Sequence, residues 1–360
     1  MRLAYLSYDK GIRYGGTKGA AVHLGEITRA LAQEGSTVLI LVAATAAGPP
    51  PPTPPGVTVE TAPQGRDALA GRLQAFRADA LIERFSLGTA DGSAVAATLR
   101  LPHLVELNAP LVDEAVAYRS LSSPDEARAL EARVLSAADV VLAVSGPLAG
   151  HARARGAERV ELLPNAVSLD RFPPRHRTDG AGPPRVVLVG TLRPWHGTET
   201  VVDAWRLLGA EAPELLVVGG GPGQEQLEAV GADVTGPVPY DRVPALLFGC
   251  SIGLVPYAAD APAYFSPLKL FDYLAAGLAV VAADVPGVTD IVDRGSAVIV
   301  PAGDPGAMAG AVAALASDPG RRGHLGQAGR DLVAAHHTWR HRARRVMAIV
   351  RELDTVGAPS

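Results

Sequence analysis

A two-domain α/β fold built on parallel sheets is predicted by three features of the 360-residue sequence. Short β-branched runs alternate with amphipathic helical stretches along the whole chain. The alternation comes in two sets, separated by a stretch rich in Pro, Gly and charge. With 48% of residues hydrophobic, the chain can also bury more than one core.

The first set of strands is expected over residues 3–8, 37–42, 80–83, 103–107 and 140–144. Between the first two, residues 20–33 set Val22, Ile27, Ala30 and Leu31 on one side of a helix that Gly35 stops. The run PPPPTPP over 49–55 excludes a helix or inner strand and reads as a polyproline surface loop, or else as a ligand for a proline-recognition module. Residues 171–185, RFPPRHRTDGAGPPR, have no apolar period, which places a linker at 173–184 between a domain of residues 1–172 and one of 185–338. The second set of strands is expected over 186–189, 214–218, 252–256, 279–282 and 297–300. The tail from 339 to 353 is helical and basic on one side, with Val346, Ile349 and Val350 as its apolar stripe, and packing against a domain is favoured over a membrane surface. Two similar halves make a cleft between domains the natural place for a ligand.

A net charge of −4 argues against a nucleic-acid groove or an anionic membrane partner. The single cysteine, Cys250, allows neither an internal disulfide nor a cysteine metal cluster, which fits a cytoplasmic location, and it reads as a small buried hydrophobe. MRLAYLSYD reads as a first strand rather than a signal peptide, and no apolar run is long enough for a membrane span. With no Asp-x-Asp motif, no metal site is expected. Lysine stands only at positions 10, 18 and 269, so each is worth placing.

Four segments carry candidate chemistry. YGGTKGAA at 14–21 leads from strand to helix, where Gly15, Gly16 and Gly19 allow close backbone approach, helix-start amides can hold an anion, and Lys18 adds a cation. GTLRPWHG at 190–197 ends a strand, with Arg193 able to fork onto a diphosphate and His196 able to donate to it. VVGGGP at 217–222, containing Gly220, is another turn suited to close approach. YFSPLKLFDYLAAG at 264–277 enters a helix through Ser266 and Pro267. There a hydroxyl, the helix-start amides and Lys269 would meet a phosphate, while Asp272 would accept from ribose hydroxyls. A glycine-rich turn and an ordinary capped helix with solvated charges stay open as alternatives at this point.

Taken in order, these motifs together with LPNAVSLDRF at 163–172 resemble the retaining nucleotide-sugar glycosyltransferases of family 4, with a GT-B fold. The resemblance covers nearly the whole chain. It implies two Rossmann-like domains facing a cleft, with a C-terminal helix, 339–354, crossing back to the first domain. It implies a nucleoside diphosphate sugar as co-substrate, a small-molecule acceptor, and no cofactor or metal. By position, Gly15, Gly16, His196, Gly220, Ser266, Pro267, Leu268 and Asp272 would hold the donor, and Arg193 and Lys269 would stabilise the departing diphosphate. Asn108 occupies the place of a family histidine near the transferred sugar, and Lys18, Arg84 and Glu106 would face the acceptor.

The sequence departs from the family pattern in three places. Thr191 stands where the arginine commonly follows the first glycine. Tyr264 and Asp272 replace the two glutamates of the E-x7-E motif, with Tyr264 or Asp260 as a substitute for the first. Asn108 cannot carry a proton at neutral pH as a histidine would. The leading expectation is hexosyl transfer to a soluble specialised metabolite. Glycosyl transfer in cell-surface polysaccharide or glycolipid assembly and a catalytically inactive nucleotide-sugar-binding partner are the alternatives, while a 2-epimerase fits the motif order poorly. Donor base and oligomeric state are left open.

Overall fold

The computed structural model describes residues 1–43, 52–174 and 183–357. The chain divides into two compact units, Met1–Pro164 with Trp339–Ser360, and Asn165–Thr338. Residues 165–174 thus group with the second unit, where Val167 and Phe172 are fully buried in its core, so this unit begins earlier than the Pro-rich stretch suggests. Most of the expected linker, 175–182, lies outside the described residues, as do 44–51, which include residues 49–51 of the expected polyproline loop.

The first unit comprises β1 (Arg2–Ser7), α1 (Gly19–Gln33), β2 (Thr37–Val42), β3 (Val57–Thr61), α2 (Arg66–Phe76), β4 (Ala80–Arg84), α3 (Asp91–Leu99), β5 (His103–Leu107), α4 (Leu111–Tyr118), α5 (Pro124–Ala137), β6 (Val140–Ala143), α6 (Gly146–Ala154) and β7 (Val160–Leu162). The second comprises β8 (Val186–Val189), α7 (Thr198–Leu208), β9 (Leu215–Val218), α8 (Gln224–Ala229), β10 (Asp233–Val234), α9 (Val243–Leu247), β11 (Ile252–Val255), α10 (Leu268–Ala275), β12 (Ala279–Ala283), β13 (Val298–Val300), α11 (Pro305–Ser317) and α12 (Pro319–His336). The last helix, α13 (Trp339–Gly357), belongs to the first unit and packs on α1.

Both sheets are parallel throughout, seven strands in the order β3-β2-β1-β4-β5-β6-β7 and six in the order β10-β9-β8-β11-β12-β13. The expected fold class is the one found. Central strands such as TVLILV are buried on both faces, as helices on either side require. In the second unit Val186, Leu188, Leu215, Val217, Ile252 and Leu254 pack into one cluster, and Val187, Leu216, Val218 and Val255 into the other. This is the strand alternation that sandwiches one sheet between two layers. Cys250 is buried in the latter core. The strands that sequence reasoning missed, β3, β7 and β10, lie at sheet edges, where short and half-buried runs give a weak apolar signal.

In each sheet the strand order reverses once, between β1 and β4 and between β8 and β11. The loops leaving the carboxyl ends of those strands are where open α/β sheets bind ligands. No helix among the described residues is long and apolar enough to cross a membrane.

Candidate functional site

At the switch point of the second unit, three glycine-dependent contacts bring the predicted motifs together. Gly219 and Gly221 both have positive φ, and a Cβ on them would stand 1.9 Å from the Gly190 carbonyl oxygen and 2.3 Å from that of Thr191. The turn after β9 is therefore pressed onto the turn after β8. Helix α10 is docked on the same strand ends by Tyr273, whose ring lies over Gly253 of β11, a Cβ there being 2.6 Å from it. The Tyr273 hydroxyl accepts from the Val189 N–H at 2.7 Å. One helical turn earlier on the same face is Lys269.

Lys269 accordingly reaches Gly190, where a Cβ would be 3.2 Å from its Nζ and 3.6 Å from His196 Nδ1. Its ammonium is buried, has no hydrogen bond or ion pair among the described residues, and lies 5.9 Å from the Tyr257 ring centroid. Burial pushes its pKa down to about 8, so it is charged at neutral pH. His196 is pushed down to about 3 by burial and then by Lys269 and Arg193, so its ring is neutral, and its buried Nδ1 has no partner. Arg193 itself is exposed, at the entrance to the short helical turn Pro194–His196. Trp195, Phe265 and Tyr257 form a stacked aromatic wall beside the imidazole. A buried cation without a counter-ion, a neutral ring and the free amides at the start of α10 form an arrangement that receives an anion.

The other residues expected to hold the donor are placed as follows. Pro267 precedes α10 and Leu268 begins it. Ser266 is buried, its Oγ accepting from the Asn165 N–H at 2.9 Å. Its hydroxyl thus ties the LPNAVSLDRF segment to the start of α10. Asp272 is 3% exposed, and its Oδ1 accepts from the Tyr240 hydroxyl at 2.8 Å. Gly220 needs no special backbone; the neighbouring Gly219 and Gly221 do. Tyr264 packs on Phe265, and Asp260 is exposed.

In the first unit, Gly15 takes a positive φ, while the Gly16 N–H donates to the Arg13 carbonyl at 2.9 Å and is not free for a phosphate. Lys18 is exposed and caps α1 with its backbone alone. Glu106 is 2% exposed, and its Oε2 accepts from the Tyr5 hydroxyl at 2.5 Å and pairs with His23 Nε2 at 2.9 Å. Burial raises the Glu106 carboxyl, but His23, Arg84 and Tyr5 outweigh it and hold the group below the ordinary range. Arg84 is buried beside it, and Asn108 is half-buried with its Oδ1 enclosed. His103 pairs with Glu83 at 2.9 Å. Sequence reasoning missed Tyr5 and His23, which come from distant segments. Among the described residues no group of three or more His, Cys, Asp or Glu is placed to hold a metal ion.

Two family models match the chain in succession: "Glycosyltransferase Family 4" over residues 17–171 and "Glycosyl transferases group 1" over 183–318. A GDP-mannose-dependent alpha-(1-6)-phosphatidylinositol monomannoside mannosyltransferase of Mycobacterium tuberculosis (strain H37Rv) is 30% identical over 237 residues, covering 59% of this chain and 62% of the relative. The chain spans about three-fifths of the length of the curated relatives it matches. Among solved structures, sucrose-phosphate synthase from Thermosynechococcus elongatus superposes with a TM-score of 0.78 at 19% identity, covering 99% of this chain and 100% of that one. The Anabaena protein Alr3699/HepE, solved in complex with UDP, gives 0.74 at 17% identity, covering 98% and 100%. These likenesses place the fold in the GT-B class.

Proposed function

We propose that this chain, with a glycosyltransferase domain matched in each half, moves a hexosyl group from a nucleoside diphosphate sugar to a small soluble acceptor, with retention and without a metal ion. The observation that carries the reading is Lys269: a buried ammonium without a counter-ion, set against a glycine and a neutral imidazole at the switch point of the second unit.

The costly event in such a transfer is departure of the diphosphate as the bond from the anomeric carbon to the phosphate oxygen breaks. Lys269 stands where it meets the developing charge in a low-dielectric setting, and Arg193 adds a second, mobile cation. Neutral His196 contributes an N–H without competing for a proton. The acceptor oxygen forms the new bond to the anomeric carbon from the face the diphosphate leaves, and its proton passes to a departing phosphate oxygen. No pair of catalytic carboxylates is needed. The Asn108 amide suits a sugar hydroxyl, while Asp272 and Tyr240 act by fixing α10 rather than by touching the donor.

The names of the curated relatives favour a second reading for the acceptor, a glycolipid headgroup. The donor base is addressed by a thermal-shift panel of UDP, GDP, ADP and dTDP, since a ligand at 100 times its Kd adds about 2.7 kcal/mol to the folded state. Selective stabilisation by one of them, followed by acceptor-dependent consumption of its sugar form, is the expected result. Stabilisation by none overturns the proposal, and tight binding without turnover points to an inactive nucleotide-sugar-binding partner.

A further inference from the structure

The three lysines of the chain differ in what surrounds them. Lys10 and Lys18 are exposed. Lys269 is 9% exposed, and among the described residues no hydrogen bond or ion pair holds its ammonium. Stabilising a diphosphate asks only for its charge. Three features of its surroundings make it a nucleophile as well.

The first is space. Gly190 leaves open the volume that a side chain would fill, and the missing Cβ would stand 3.2 Å from Lys269 Nζ and 3.6 Å from His196 Nδ1. A carbonyl carbon needs such an opening to approach the nitrogen. The second is the free amine. Burial pushes the lysine down to about 8, so about one molecule in ten carries the unprotonated amine at pH 7, against about one in 3,000 for a lysine at 10.5. The third is an anchor. The first-turn amides of α10, the exposed Arg193 guanidinium and the neutral His196 ring, whose buried Nδ1 has no partner, favour a negatively charged group beside the amine. An aldehyde carrying a phosphate ester meets all three, its phosphate held by the anchor while its carbonyl faces the amine.

We infer that Lys269 is a modification site for phosphorylated aldehydes, which it captures as a reversible imine. The Nζ lone pair forms a bond to the carbonyl carbon, and the carbonyl oxygen leaves as water with both hydrogens of the neutral amine. Hydrolysis by the same route returns the free lysine. No oxidant or reductant is consumed. The adduct fills the space beside Gly190, and its effect as a brake on donor binding rests on the glycosyl-transfer reading above. Lys18 is an internal control, since it also stands at the start of a helix, α1, but in solvent.

The test is reductive trapping on the full chain at about pH 7.5, with cyanoborohydride fixing the imine as a secondary amine and mass spectrometry reading each lysine. Glyceraldehyde 3-phosphate is the anionic probe and glyceraldehyde the neutral one. Glyceraldehyde 3-phosphate is expected to label Lys269 at least about tenfold faster than it labels Lys10 or Lys18, and at least about tenfold faster than glyceraldehyde labels Lys269. Inorganic phosphate, which fills the anchor without a carbonyl, should slow labelling at Lys269 and leave the other two lysines unchanged. Equal labelling of the three lysines, or equal rates with the two probes at Lys269, overturns the inference. Without cyanoborohydride, dilution should return the unmodified mass, and an adduct that persists contradicts an imine. The nucleotide that stabilises the protein most should slow labelling of Lys269 by at least about tenfold, and stabilisation without protection overturns the braking effect. If no nucleotide stabilises the protein, the glycosyl-transfer reading fails, while selective labelling still upholds the modification site. If one does and Lys269 is not selectively labelled, this inference fails alone.

Discussion

The two switch points share a topology and differ in how they treat charge. At the carboxyl ends of β8 and β11, Lys269 is buried with no carboxylate paired to it among the described residues, and its neighbour His196 is kept neutral. Across β1, β4 and β5, Glu106 is buried with Tyr5 and His23 on one oxygen and Arg84 alongside. An uncompensated buried charge costs stability until an opposite charge arrives, whereas a compensated set is stable only as a set. The first arrangement favours an incoming anion, whereas the carboxylate of the second is already met by its own neighbours.

This contrast can be broken most sharply at Glu106. Replacing it with Ala takes the acceptor from the Tyr5 hydroxyl, the pair from His23 and the negative charge from beside Arg84, and is expected to cost about 3–5 kcal/mol in urea unfolding. A change below about 1 kcal/mol would mean that the Glu106 carboxylate is solvated rather than compensated. Lys269→Met should act in the opposite sense. Turnover is expected to fall about 10²–10³-fold, while the free protein gains about 1–3 kcal/mol because the lone charge is gone. Loss of both activity and stability would contradict the reading of an uncompensated site.

The pH dependence sharpens the same point more gently. Free Lys269 loses its proton near pH 8, and a bound diphosphate would restore it. Nucleotide affinity measured by calorimetry should therefore be flat below pH 8 and fall by at most about tenfold per unit above it. Stability of the free protein runs the other way. The unfolded lysine keeps its proton up to its ordinary pKa of 10.5, so the folded state gains stability as pH rises from about 8 to that value. The smallest effect belongs to the surface, where Arg340 and Arg344 reach Glu34 from half-exposed positions on α13. Arg344→Ala should shift the unfolding free energy by less than about 1 kcal/mol, and less still at high salt.

How much of this was legible in sequence depended on how local each feature is. GTLRPWHG and SPLKLFDYLAAG were readable because each is a strand end or helix start whose chemistry lies within a few residues. The central strands were readable because they are buried on both faces. The Glu106 site was only half visible. Alternation along β5 put Glu106 and Asn108 on one face, but the partners that fix Glu106 come from 101 and 83 residues away. Nothing near Asp272 in sequence announces Tyr240, 32 residues upstream, whose hydroxyl donates to it. Gly253 gave no signal of its own either, since its purpose is the ring of Tyr273 lying across it.

The return of α13 to the first unit bears on how the protein is made. Trp339 is buried there with its ring edge-on to His23, 5.1 Å between centroids, and Arg342 donates to the Pro164 carbonyl at 2.7 Å. The unit that begins at the amino terminus is therefore finished by residues synthesised after the whole of the other. During translation the second unit has all its strands before the first has its last helix, and the α1 surface that α13 covers stays bare until residues beyond 339 leave the ribosome.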